Sequence, residues 1–121
     1  MSSLYEAAVA HPGGHRDVRP DQVALHLRDV RVIDVRDPHE FNGEYGHIAG
    51  AELVPLATLG EATQRWTKDA ELVVVCRSGR RSEQAAATLT AAGFPRVMNM
   101  VGGVLAWNQA RLPIDSANSA A

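Results

Sequence analysis

The stretch Glu71-Leu72-Val73-Val74-Val75-Cys76-Arg77-Ser78-Gly79-Arg80-Arg81-Ser82 decides how the rest of the chain is read. Leu72 to Val75 is a run of β-formers without polar alternation, the pattern of a strand covered on both faces. A polar turn with one Gly and three Arg follows, and from Arg80 the pattern turns helical through Glu83, Gln84, Ala85, Ala86, Ala87 and Leu89. Strand, tight loop and helix aim consecutive backbone N–H groups at one point. The side chain at the start of this loop is the thiol of Cys76, the only cysteine of the chain. A helix N-terminus and nearby Arg charges favour thiolate over thiol and lower the pKa. A Cys that merely filled the core would need neither Arg at three of the next five positions nor a Gly to close the loop. Cys76 is therefore read as a reactive nucleophile.

Working outward, short strands and helices alternate. Arg31 to Val35 reads as a strand, with Asp34 near its C-terminal end, where an open α/β sheet places active-site neighbours. Asp37-Pro38-His39-Glu40 reads as a helix start, with a cap, Pro at the first position and Glu at the third. Arg36 and Glu40 are placed to form an ion pair across that turn. Gly46 to Gly50 is a turn that holds His47, and Glu52 to Val54 is a short strand ended by Pro55. Leu59, Thr63 and Trp66 space as a helix face. Beyond the Cys76 helix, Gly93 and Phe94 make a Schellman-type stop, Arg96 to Met100 is the last strand, and Gly102-Gly103 leads into a helix over Val104 to Arg111.

Towards the N-terminus, Leu4 to Ala10 reads as a short helix ended by the linker His11-Pro12-Gly13-Gly14-His15. His11 and His15 stand four apart, a metal-binding spacing on a helix, but Pro and two Gly between them prevent one. Both are expected as solvated loop histidines. Asp17 to Arg19 reads as an edge strand, and Pro20 opens a helix whose buried face is Val23, Ala24, Leu27 and Val30. The expected division is an N-terminal extension and linker over 1–16, one α/β domain over 17–113, and a tail without fixed structure over 114–121.

Four pieces of this chain resemble the rhodanese family of sulfurtransferases, in its order and at its spacing. They are Val32-Ile33-Asp34-Val35-Arg36 with Glu40-Phe41, then Gly46-His47-Ile48-Ala49-Gly50-Ala51, the Cys76 loop, and Gly102-Gly103-Val104-Leu105-Ala106-Trp107. The resemblance implies a single rhodanese-like domain, with a five-stranded, mainly parallel sheet, helices on both faces, and the Cys loop at the C-terminal sheet edge. It implies transfer of sulfane sulfur from a small anionic donor such as thiosulfate to cyanide, a thiol or an acceptor protein, through a Cys76 persulfide. Arg77, Ser78, Gly79, Arg80, Arg81 and Ser82 would bind the substrate, with Asp34, Arg36, Glu40 and a scaffolding His47 in support and no metal or cofactor. One rival is a phosphatase or arsenate reductase, which needs Cys, five residues, then Arg; here Ser82 stands at the Arg position. Another is an interaction module without turnover, against which Cys76 and the complete loop both speak.

Composition bounds the partners. The 121 residues suit one domain with its own core, and 45% are hydrophobic, as in a globular protein. A net charge of −2 gives no general basic field for nucleic acid or an acidic membrane. A lone Cys excludes an internal disulfide. With neither a signal-peptide pattern nor a membrane-length apolar run, the expected location is the cytoplasm.

Overall fold

The computed structural model describes residues 3–115. Helix α1 (Leu4–Ala7) and strand β1 (Val9–Ala10) are followed by β2 (Arg16–Val18) and α2 (Pro20–Ala24). Next come β3 (Arg31–Asp34), α3 (Pro38–Phe41), β4 (His47–Ile48) and β5 (Glu52–Leu53). After the short helix α4 (Leu59–Ala62) come β6 (Leu72–Val75), α5 (Arg80–Ala91), β7 (Val97–Met100), α6 (Gly103–Gln109) and β8 (Ile114–Asp115).

The main sheet runs β1-β2-β7-β6-β3-β5, and every pairing in it is parallel except β1 with β2. The apolar strands send alternate residues to opposite faces. Ile33, Leu72, Val74 and Val97 join Ala85, Ala86, Leu89 and Phe94 in one core, on the side of α4 and α5. Val32, Val73, Val75 and Met98 join Leu4, Val23 and Trp107 in the other, under α1, α2 and α6. All four residues of β6 are buried, so the unalternating run of valines reflects a strand with helices on both sides.

Four expectations are corrected. The sheet has six strands instead of five, because residues 9–10 leave the expected N-terminal helix and pair with β2, Val9 opposite Asp17 and Ala10 opposite Arg16. Residues 3–16 are accordingly part of the domain, and Leu4 is buried in its core. The β1–β2 turn also carries His15 inward. His15 is 1% exposed and stacks on His11 at 4.2 Å between ring centroids, while His11 Nε2 reaches Glu83 Oε1 on α5 at 2.9 Å. Burial, reinforced by His11, lowers the His15 pKa, against the opposing pull of Asp17 and Glu83. At the other end, Ile114 and Asp115 of the expected tail pair antiparallel with Ile48 and His47, held near by Trp107 Nε1 donating to the Pro113 carbonyl at 2.9 Å. Residues 116–121 lie outside the described residues.

Candidate active site

Strand β6 delivers Cys76 to the C-terminal edge of the parallel sheet, and α5 begins four residues later. Gly79 caps that helix at φ 106°, a conformation that L side chains rarely adopt, and turns the chain back over the sulfur. From above, α6 clamps the loop: Val104 N–H donates to the Cys76 carbonyl at 2.8 Å and Leu105 N–H to the Arg77 carbonyl at 3.1 Å. The approach is so close that a Cβ on Gly103 would lie 2.4 Å from the Arg77 carbonyl oxygen. The Gly102-Gly103 pair is thus part of the loop's architecture.

The sulfur sits inside this turn. Gly79 N–H donates to Cys76 Sγ at 3.1 Å, and Ser82 Oγ lies 3.3 Å away, in position to donate. Burial pushes the thiol up, but Ser82 Oγ and the backbone N–H groups of Ser82, Gly79 and Ser78 outweigh it and hold Cys76 below the ordinary thiol value. In the first turn of α5 the N–H groups of Arg80 to Ser82 precede the first intrahelical bond, from Glu83 N–H to the Gly79 carbonyl. The backbone donors that act on the sulfur are those of Ser78, Gly79 and Ser82.

The three loop arginines have separate fates. Arg81 forms a two-pronged pair with Glu40, both contacts at 2.8 Å, which joins α5 to α3. That pairing is the main cause holding Glu40 at about 2. Arg77 and Arg80 are exposed and form no salt bridge among the described residues; the Arg77 guanidinium lies 5.9 Å from the Tyr45 ring centroid. Arg77 and Arg80 are thus the loop arginines without an ion-pair partner among the described residues, while Arg81 is held by Glu40.

The supporting residues are placed differently from the expected Arg36–Glu40 pair. Arg36, 1% exposed, pairs instead with Asp34, 0% exposed, its Nη2 2.8 Å from Asp34 Oδ2 and its Nε 2.9 Å from Oδ1. The same guanidinium donates to the Gly46 carbonyl at 2.8 Å and the Glu40 carbonyl at 3.2 Å. The physical reason is reach: the carboxylate of Glu40 caps its own helix, accepting from Asp37 N–H at 3.1 Å, and faces Arg81. His47 bonds the Phe41 carbonyl through Nδ1 at 2.9 Å and stacks on the Phe41 ring at 3.6 Å, away from the sulfur's own contacts.

Asn99 is a site residue that sequence reasoning missed. It is 4% exposed on β7, and its Oδ1 accepts from Ser82 Oγ at 2.6 Å. The available signal was a lone amide in Val97-Met98-Asn99-Met100, an otherwise apolar strand.

Among proteins of known sequence, the family model described as a rhodanese-like domain matches residues 19–110. A sulfurtransferase of Allochromatium vinosum is 40% identical over 86 residues, covering 71% of this chain and 78% of that protein. The thiosulfate sulfurtransferase GlpE of Pseudoalteromonas translucida is 35% identical over 86 residues, covering 71% and 80%. In four further relatives the chain spans only 22% to 62% of a longer protein. A rhodanese-related protein of Thermoplasma volcanium superposes with a TM-score of 0.77 at 26% identity, over 84% of this chain and 98% of its own.

Proposed function

Because the chain belongs to the rhodanese-like domain family, we propose that it moves sulfane sulfur from thiosulfate to a thiophilic acceptor through a persulfide on Cys76. The observation that carries this reading is the sulfur held by Gly79 N–H and facing Ser82 in a closed loop. The Cys76 thiolate attacks the outer sulfur of thiosulfate. A bond forms between Sγ and that sulfur, the sulfur–sulfur bond of thiosulfate breaks, and sulfite leaves with the bonding pair. Cyanide, a small thiol or an acceptor protein then attacks the terminal sulfur and returns Cys76 as thiolate. The loop N–H groups stabilise charge on the terminal sulfur. Cys76 is 1% exposed, which favours a slim anion over a bulky phosphorylated side chain. Ser82 is wholly buried where a phosphatase loop would need Arg, which also favours sulfur over phosphate. A single thiol with no partner for a disulfide suits a reducing compartment such as the cytoplasm.

The test is initial-rate kinetics of thiocyanate formation from thiosulfate and cyanide. Parallel lines in double-reciprocal plots, the ping-pong pattern, are expected, together with negligible hydrolysis of a generic aryl phosphate. Brisk phosphate release without thiocyanate would assign the loop to phosphate instead.

A second expectation follows from the arginines. Arg77→Ala or Arg80→Ala should raise the KM for thiosulfate by about two- to fivefold with kcat nearly unchanged, and the effect should shrink at high salt. Unchanged donor kinetics in both variants would mean that backbone donors alone bind the anion.

A further inference from the structure

Ser82 has one hydroxyl proton and two acceptors. Its Oγ lies 2.6 Å from Asn99 Oδ1 and 3.3 Å from Cys76 Sγ, and all three residues are buried. Two oxygens at 2.6 Å require a proton between them, so in this arrangement the hydroxyl donates to Asn99 and turns a lone pair towards sulfur. On the far side Asn99 Nδ2 faces the Gly79 carbonyl oxygen at 3.5 Å, the orientation that sets donor towards acceptor. The arrangement suits a Cys76 thiol, whose S–H can donate to Ser82 Oγ. A thiolate is a stronger acceptor than an amide oxygen, and in that state the hydroxyl turns to sulfur.

We propose that Asn99 is a positioning residue that competes with Cys76 for the single hydroxyl proton of Ser82 and takes it back whenever negative charge leaves Sγ. Loading creates that need. When Sγ bonds to the transferred sulfur, the charge moves to the terminal sulfur and Sγ becomes a neutral, weak acceptor. A wholly buried hydroxyl without a second acceptor would then be left unpaired, which is costly. Asn99 supplies that acceptor, and no atom or proton is gained or lost in the exchange. The competition also keeps the resting thiolate from being overstabilised, and thiolates of lower pKa are weaker nucleophiles.

Other charged groups stand on the loop and on the elements around it. They are Arg77, Arg80 and Arg81 of the loop and α5, Glu40 of α3 paired with Arg81, and the Asp34–Arg36 pair at the end of β3. Helix α6 brings none. All act with or without the Ser82 hydroxyl, so they cancel when one Asn99 substitution is compared in two backgrounds.

The experiment is the pH dependence of Cys76 alkylation by iodoacetamide in wild type, Asn99→Leu, Ser82→Ala and the double variant. Leu keeps the branched shape of Asn and removes its acceptor. Asn99→Leu should lower the alkylation midpoint by about one pH unit, because the Ser82 proton then has only the sulfur to serve. In the Ser82→Ala background the same substitution should leave the midpoint where it was. A midpoint that is unchanged or raised by Asn99→Leu, or that falls equally in both backgrounds, overturns the proposal. Should the Leu variant fail to fold by circular dichroism, Asn99→Ala is read against the same outcomes. The persulfide step of this inference rests on the sulfur-transfer reading. Alkylation uses neither donor nor acceptor, so a failure of that reading and a failure of the competition are distinguished.

Discussion

Replacing Arg36 by Met should destabilise the protein by about 3–5 kcal/mol, the usual cost of removing one partner from a buried ion pair. Asp34 is 0% exposed and takes several hydrogen bonds from the Arg36 side chain; without it, the carboxyl group stays buried beside an apolar thioether. Two carbonyls, those of Gly46 and Glu40, lose donors in the same stroke. The consequences reach the active site, because the Arg36 side chain ties the end of β3 to the α3 segment from which Glu40 holds Arg81. Urea denaturation measures the loss. Asp34→Asn combined with Arg36→Met should recover part of it, since no carboxylate is then left unpaired. A loss under about 1 kcal/mol for Arg36→Met would show that the pair is solvated in ways its burial does not suggest.

Cys76→Ser should abolish transfer, lowering the rate of thiocyanate formation by about 10³-fold or more. Serine keeps the shape of the loop and the contact with Gly79 N–H, but its hydroxyl stays protonated at neutral pH and has no general base beside it. The groups that face Sγ are the N–H of Gly79 and the hydroxyl of Ser82, and neither is basic enough to take up a proton at neutral pH. The site thus stabilises an anion that must already exist, which a thiol can provide and an alcohol cannot. Circular dichroism of the variant should match wild type. Residual activity within about tenfold of wild type would place the nucleophile elsewhere.

Much of this architecture was legible in the chain because its causes are local. Leu72 to Val75 announced a two-sided strand, and Cys76, Gly79 and the helix from Arg80 announced the turn, since each depends on neighbours a few positions away. The capping of α3 by Asp37 and Glu40 was readable for the same reason. What sequence did not expose were pairings set by the sheet. Glu40 meets Arg81, 41 positions away, while proximity along the chain had suggested Arg36. Asn99 reaches Ser82 only because β7 lies beside β6 in parallel register, Val74 opposite Asn99. His15 looked like a solvated loop residue beside Pro and Gly, but two residues of β1 pairing with β2 are enough to turn it inward.

On the proposed function, Cys76 carries the sulfur between donor and acceptor. It is the only thiol of the chain, so no second cysteine can resolve its persulfide into an internal disulfide, and the loaded state should persist until an outside nucleophile arrives. The most direct measurement is the intact-protein mass after treatment with thiosulfate and desalting. Wild type should gain the mass of one sulfur atom, Cys76→Ser should gain nothing, and a small thiol should remove the gain. Turnover of thiosulfate by wild-type protein that never shows the added sulfur would contradict the persulfide, and with it the role assigned to Cys76.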